Sequence, residues 1–438
     1  MNNSSGFTGL GIAPGILAVL ARHKFVQPTP IQARSIPVAL EGKDLVGIAQ
    51  TGTGKTLAFG IPMVQRILQK QGTGLIVLPT RELAMQVRDA LQMVGGSLGI
   101  KTALLIGGAP MGRQVAEIRR RPEIVIGTPG RINDHLEQKT LTLSSVKILV
   151  LDEADRMLDM GFAPQLKRIM KFVPTERQTV LFSATMPPEI MNMARMFMKL
   201  PVQIEIAPPG TAAANVTHEV FVLGRDQKPA LLNKLLSDYR GSVLVFTRTK
   251  FAARKVALAV RNFGHTANEL HSNRSLSQRR EALEGFKNGR YRVLVATDIA
   301  ARGIDVTGIE LVVNYDLPDQ AEDYVHRIGR TGRAGASGHA ISFATPDQRG
   351  DLHSIERLLK KSLPLARLPD SLPRVAFEPR RPFENKPRSF QSRSQGPSRS
   401  SSQSRSRGYH SSGRGEGSSF SSRPPRRSGF SGRRFGGR

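Results

Sequence analysis

Cysteine is absent from the 438 residues, which excludes disulfides, thiolate zinc sites and a cysteine nucleophile. The nine histidines form no close pair at metal-ligand spacing, so a metal held by protein ligands alone is not expected. No apolar run approaches the roughly 18 residues that a spanning helix needs, and no membrane partner is expected. The first residues, Met1-Asn-Asn-Ser-Ser-Gly6, lack a basic stretch, and the apolar segment near Ile16 is broken by Pro14 and Gly15. A signal peptide is therefore not expected, and the expected location is cytoplasmic. Negative charge is the other shortage. The 35 Asp and Glu face 64 Lys and Arg, a net charge of +29. Such a chain attracts polyanions, and counterion release makes nucleic acid the commonest of them. Charge alone leaves solubility or attraction to anionic lipid open.

What is present falls into segments. Hydrophobic residues make up 39%, enough for real cores, and the length allows two or three domains at about 150 residues each. Leu75-Ile-Val-Leu78, Ile124-Val-Ile126, Ile148-Leu-Val-Leu151 and Val180-Leu-Phe182 are unbroken apolar runs that end in polar or turn residues. They read as buried strands. Amphipathic helices such as 81–93 lie between them, which implies parallel sheets covered by helices on both faces. A Pro-, Gly- and Ala-rich stretch at 206–215 reads as a linker. A second strand series follows, with Val243-Leu-Val-Phe246, Val293-Leu-Val-Ala296, Leu311-Val-Val-Asn314 and Ala340-Ile-Ser-Phe343. The chain thus divides into domains at 1–205 and 216–370 and a tail at 371–438. Ser, Arg, Gly and Pro dominate the tail, which holds 16 Lys and Arg against three Asp and Glu. It lacks the apolar surface to offset the entropy of ordering and should be disordered.

Ala49-Gln-Thr-Gly-Thr-Gly-Lys-Thr56 follows the apolar strand Leu45-Val-Gly-Ile48 and precedes a helical pattern. That is the setting of a P-loop, in which glycines let successive amides turn toward phosphates at a helix N-terminus. Thr51, Gly52, Thr53 and Gly54 form its wall, Lys55 reaches the β- and γ-phosphates, and Thr56 can ligate Mg²⁺. The first position is Ala49 where the stricter pattern has Gly. Downstream, Val146-Lys-Ile-Leu-Val-Leu151 delivers Asp152-Glu-Ala-Asp155 at the end of a strand, where doubly wound sheets bind ligands. Asp152 is placed to hold Mg²⁺, and Glu153 to orient or deprotonate an attacking water.

In order and spacing these pieces resemble the motifs of the DEAD-box RNA helicases over nearly all of residues 7–345. The first half carries Phe7, Phe25-Val-Gln-Pro-Thr-Pro-Ile-Gln32, the P-loop, Pro79-Thr-Arg-Glu-Leu-Ala84, Gly107-Gly108, Thr128-Pro-Gly-Arg131, Asp152-Glu-Ala-Asp155 and Ser183-Ala-Thr185. The second carries Val245-Phe246, Ala296-Thr-Asp-Ile-Ala-Ala-Arg-Gly-Ile-Asp305 and His326-Arg-Ile-Gly-Arg-Thr-Gly-Arg333. The wording of the motifs and the basic tail are most similar to the bacterial RhlE-type subgroup.

The resemblance implies two tandem RecA-like domains of doubly wound parallel sheet, and an RNA-stimulated ATPase that separates short duplexes. It implies that Gln32 reads the adenine edge while Phe25 stacks on the ring and Phe7 contributes upstream; a core position is the alternative for Phe25. Arg330 and Arg333 would be arginine fingers, and Asp305 would accept a ribose hydroxyl. Asp155, Ser183, Thr185, His326 and Arg327 would couple the domains, although Arg327 also fits a basic RNA-binding face. RNA contacts would fall on Arg81, Gly108, Thr128 and Arg131, and on Arg279 and Thr297 of the second domain. One position departs from the pattern: where the family often has Gln three residues before Arg279, this chain has Leu276. The expected consequence is loss of a local hydrogen bond.

Overall fold

The computed structural model describes residues 6–50, 52–69, 72–206, 216–301, 306, 308–332 and 337–369. Thr51, Asp305, Arg333, residues 207–215 of the expected linker and the tail lie outside the described residues. The chain forms thirteen described strands: β1 Leu45–Ile48, β2 Thr73–Val77, β3 Thr102–Leu105, β4 Ile124–Gly127, β5 Val146–Leu151, β6 Gln178–Ser183, β7 Val202–Glu205, β8 Val216–Val222, β9 Ser242–Phe246, β10 Ala267–Leu270, β11 Val293–Ala296, β12 Ile309–Asn314 and β13 Gly338–Ala344. The first seven build one sheet in the order β3-β4-β2-β5-β6-β1-β7, and the remaining six a second in the order β10-β11-β9-β12-β13-β8. Every pairing is parallel.

Strand side chains alternate between faces, and both faces of each sheet are apolar. In the first sheet Ile76, Ile124, Ile148 and Val180 pack under one helical layer, including Lys55–Leu68 and Arg81–Gly95. Leu75, Val125, Leu149 and Leu181 pack under the other, including Pro129–Glu137 and Pro188–Phe197. The second sheet repeats this with Val243, Val245 and Val295 on one face and Leu244, Leu294 and Val312 on the other. Burial on both faces explains why the central strands read as continuous apolar runs.

The two central series expected from apolar runs are present, with no end moved by more than two residues. The four strands not expected from the sequence, β3, β7, β8 and β10, are the four sheet edges. Edge strands are short or carry polar residues; β8 alternates buried and exposed positions, and β10 contains Asn268 and Glu269. All strands of the first sheet run parallel, so the segments after β1 to β6 emerge along one rim. The P-loop and Asp152 follow β1 and β5, and Ser183 ends β6, which lies between them. Arg81, Gly108 and Thr128 follow β2, β3 and β4 on the other side of the rim.

Candidate functional site

Gly52 and Gly54 have φ of 86° and 91°, a left-handed conformation that favours glycine. Gly54 also caps the helix Lys55–Leu68. A Cβ on Gly54 would collide with the amide of Gln32, which is the reason the two groups approach so closely. Gln32 is buried; its Nε2 donates to Gly54 O at 3.0 Å, and its Oε1 accepts from Thr29 N at 2.9 Å in a capping box. One N–H and one oxygen lone pair of the amide are left for a ligand. Thr53 Oγ1 donates to Gln50 O at 2.7 Å. Phe25 is 37% exposed, whereas Phe7 is buried in the core beside Ile12 and Ile16. Phe7 therefore supports the fold here, and its link to the nucleotide rests on the resemblance alone.

The acidic centre is buried. Lys55, Asp152, Glu153 and Asp155 are all buried. Lys55 Nζ lies 3.5 Å from Glu153 Oε1 and 4.0 Å from Asp152 Oδ1. Glu153 has φ 56° and ψ 49°, rare for a residue with a side chain. Burial pushes the Asp152 carboxyl up to about 6, with Lys55 opposing and Glu153 adding to the rise. Burial also opposes ionisation of Glu153, but Arg156, Lys55, Arg330 and His326 together outweigh it and hold its carboxyl down to about 2. Asp155 does something else: its Oδ2 accepts from Ala184 N, Thr185 N and Thr185 Oγ1 at 3.0, 3.1 and 3.2 Å, while its own N–H donates to Ser183 Oγ at 3.3 Å. It locks the turn after β5 to the turn after β6.

The halves meet at the site. Arg330 and His326 of the second half both act electrostatically to lower the Glu153 carboxyl of the first. Arg279 Nε donates to Glu82 Oε1 at 2.6 Å, with both groups buried. Arg279, expected to touch RNA, is thus 7% exposed and spans the two halves. Leu276 packs against the apolar cluster of the first half, so the departure from the family pattern introduces an apolar contact where a hydrogen bond was expected to be lost. Arg327 is held within its own half, by Asp298 at 2.6 and 2.7 Å, Asn314 Oδ1 at 3.1 Å and Asp316 O at 2.6 Å. His326 Nδ1 lies 3.8 Å from Asp323.

On the other side of the rim, the Arg81 guanidinium sits where side chains on Gly107 or Gly108 would project. Arg131 Nη1 donates to Ala109 O at 3.2 Å and its Nε lies 3.2 Å from Asp134. Thr128, half-buried, heads the helix Pro129–Glu137. Thr297, also half-buried, follows β11 and donates through its amide to Leu270 O at 3.2 Å.

Known families match in the same places. Residues 29–193 match the DEAD/DEAH box helicase family and residues 227–335 the helicase conserved C-terminal domain. The ATP-dependent rRNA helicase RRP3 of Debaryomyces hansenii is 42% identical over 362 residues, covering 82% of this chain and 76% of that protein. The chain belongs to the DEAD-box RNA helicases. The DEAD-box ATP-dependent RNA helicase CshA of Geobacillus kaustophilus is likewise 42% identical, over 82% of this chain and 77% of its own. S. cerevisiae Dbp5 bound to RNA and ADP BeF3 superposes on the helicase with a TM-score of 0.74 at 31% identity, covering 84% of this chain and 96% of that one. Mss116p bound to ssRNA and AMP-PNP gives 0.77 at 26% identity, covering 84% and 81%. Both halves are thus RecA-like domains.

Several partners in the helicase site carry no signal of their own in the sequence. Arg156 is 1% exposed, with Nη1 2.6 Å from Glu153 Oε2. Glu82 and Asp298 are the acids that hold Arg279 and Arg327. Glu82 and Asp298 lie inside recognised motifs and Arg156 directly follows one, and that adjacency was the one available clue.

Proposed function

We propose that the helicase binds ATP and one RNA strand across its two halves, and that closure around them assembles the hydrolytic site and separates a short duplex locally. The observation that carries this reading is the buried ion pair across the two halves, Arg279 Nε to Glu82 Oε1 at 2.6 Å, beside which Arg330 of the second half acts electrostatically on Glu153 of the first. In the structure Lys55 is paired with Glu153 and Asp152; the phosphates of ATP would replace these carboxylates as its partners. Glu153, kept ionised among cations, would then orient or deprotonate the attacking water, while Arg330 stabilises the charge that develops on the transferred phosphoryl group. Arg333 and Asp305 are assigned the finger and ribose roles, and Thr51 a place in the phosphate wall, on the resemblance.

Mg²⁺ fits the donor set. No group of three or more His, Cys, Asp or Glu side chains that could hold a metal ion by itself is found among the described residues. A hard cation held by one carboxylate, one hydroxyl and phosphate oxygens suits Asp152 and Thr56. The ion would neutralise charge on the phosphates. Gln32, with one donor and one acceptor free, is proposed to read adenine against the face of Phe25. Arg81, Gly108, Thr128, Arg131 and Thr297 are proposed to touch RNA, with backbone and phosphate contacts that position a strand without reading it. Asp155, Ser183 and Thr185 would transmit nucleotide state between turns, with His326 and Arg327 on the facing half. The proposed division at 1–205, 206–215, 216–370 and 371–438 is supported by a separate sheet in each half. Motif wording and the Arg-rich tail support the RhlE-type subgroup. A cytoplasmic location is supported by the lack of cysteine.

Glu153→Gln tests the chemistry. It should retain ATP and RNA binding while stalling turnover in a closed complex, and near-normal RNA-stimulated hydrolysis would refute the assignment.

A further inference from the structure

The loop between β3 and the helix Met111–Arg119 holds Gly107 and Gly108. Beneath it lies a buried polar chain that no motif announces. Gln114 is 2% exposed, and its Nε2 donates to Ile106 O at 3.1 Å and Ala109 O at 3.2 Å, the carbonyls on either side of the glycine pair. With both amide hydrogens used, its Oε1 faces the ring of His135, whose Nε2 is 3.3 Å away. His135 is fully buried, and its Nδ1 lies 2.8 Å from Thr140 Oγ1. The Thr140 hydroxyl also lies 3.2 Å from His135 O, so its proton is shared between that carbonyl and the closer ring nitrogen. A neutral ring that leaves Gln114 Oε1 an acceptor is then protonated on Nε2. Burial, aided by Arg131, lowers the pKa of His135 and favours that neutral form.

The consequence for the loop is directional. Its carbonyls at 106 and 109 are turned inward onto Gln114, and Arg131 binds the second of them as well. The amides of Gly107 and Gly108 donate to no acceptor among the described residues. Successive free amides beside a guanidinium suit a phosphate oxygen, and Arg81 stands alongside. We infer that Thr140, His135 and Gln114 form a positioning relay that holds the glycine loop in its RNA-binding shape and so sets the affinity for RNA. None of the three touches RNA. The inference rests on reading that loop as an RNA contact.

The full chain is assayed with polyuridylate RNA, following ATP hydrolysis against RNA concentration and RNA binding in the presence of AMP-PNP. Gln114→Met keeps the shape and removes both donors. Losing bonds to two buried carbonyls should raise the half-activating RNA concentration by about tenfold, with kcat at saturating RNA changed by less than about twofold. Thr140→Val should shift half-activation the same way by about threefold, and Thr140→Ser should restore it. A purely structural role would move kcat and RNA dependence together and would not be rescued by the hydroxyl. Wild-type RNA dependence in folded Gln114→Met, or a Thr140→Ser as impaired as Thr140→Val, overturns the relay. Should Gln114→Met fail to fold, the Thr140 pair decides. Gly108→Ala separates the two levels. If it leaves RNA binding intact, the loop is not an RNA contact and the reading beneath falls. If it weakens binding while the relay variants do not, only the relay falls.

Discussion

Arg156 shows how one buried side chain constrains the chemistry. Its Nε and Nη2 have no acceptor among the described residues, and its one ionic partner is Glu153. An arginine so placed is retained at a cost, because unpaired buried donors are unfavourable. What it supplies is a fixed, charged partner for a glutamate held in a rare backbone conformation. Removing one member of a buried pair strands the other charge, a loss of about 3–5 kcal/mol. Lys55, 3.5 Å from the same carboxylate, offsets part of that, so Arg156→Met should lose about 2–3 kcal/mol in urea unfolding. Its kcat should fall more than its affinity for ATP, and Arg156→Lys should recover part of both. Stability within about 0.5 kcal/mol of wild type would show that the pair contributes nothing.

Between elements, the helix Arg81–Gly95 begins at a Thr80 cap, with Thr80 Oγ1 accepting from Leu83 N, and carries Glu82 in its first turn. The helix Leu276–Lys287 begins at a capping box formed by Ser275 and Gln278, and carries Leu276 and Arg279 in its first turn. The caps set where each helix starts, and hence where these side chains project. Arg279 and Glu82 meet, and Leu276 packs beside them on the first half. If this contact belongs to closure, it should strengthen the mutual effect of nucleotide and RNA. Couplings of this kind are typically about 1–3 kcal/mol, or 5–150-fold. Glu82→Gln should therefore cut by roughly tenfold the tightening of RNA binding that AMP-PNP produces. It should also leave RNA affinity without nucleotide nearly unchanged. An undiminished ratio of the two affinities would separate the contact from closure.

For the molecule as a whole, the excess of positive charge is shared between the folded halves and the tail. In residues 371–438, 16 Lys and Arg are interspersed with seven aromatics, Phe377, Phe383, Phe390, Tyr409, Phe420, Phe430 and Phe435. Arginines follow phosphates and rings stack on bases with little regard to base identity. The tail is thus proposed as a nonspecific RNA tether that leaves the chemistry to the core. Each phosphate neutralised on a single strand adds about 0.7 to the slope of log K against log salt. With about five contacts engaged at once, removing the tail should flatten that slope by about three to four units, raise the half-activating RNA concentration and keep kcat at saturating RNA near normal. Parallel salt dependences with similar intercepts for full-length and truncated protein would rule the tether out.

The central strands, the P-loop, the acidic strand end and the order of motifs were all legible in the sequence. Each is a local property: an apolar run buried on two faces, or a glycine pattern between a strand and a helix. The four edge strands were not, because an edge is defined by its missing neighbour; β7, β8 and β10 interleave polar residues, and the run Ala103-Leu-Leu-Ile106 at β3 is too short to distinguish a strand from a buried helical turn. Nor were the pairs that control the site. Glu82 and Arg279 are 197 residues apart, and Gln114 reaches His135 only because β3 and β4 lie side by side with their helices packed together. Burial of both partners in the folded chain decides whether such groups meet. The sequence by itself determined which chemical groups the helicase has and on which strand ends they lie. The tertiary structure alone decided which charges face one another, because Coulomb and hydrogen-bond energies depend on distances that only the packed sheets set.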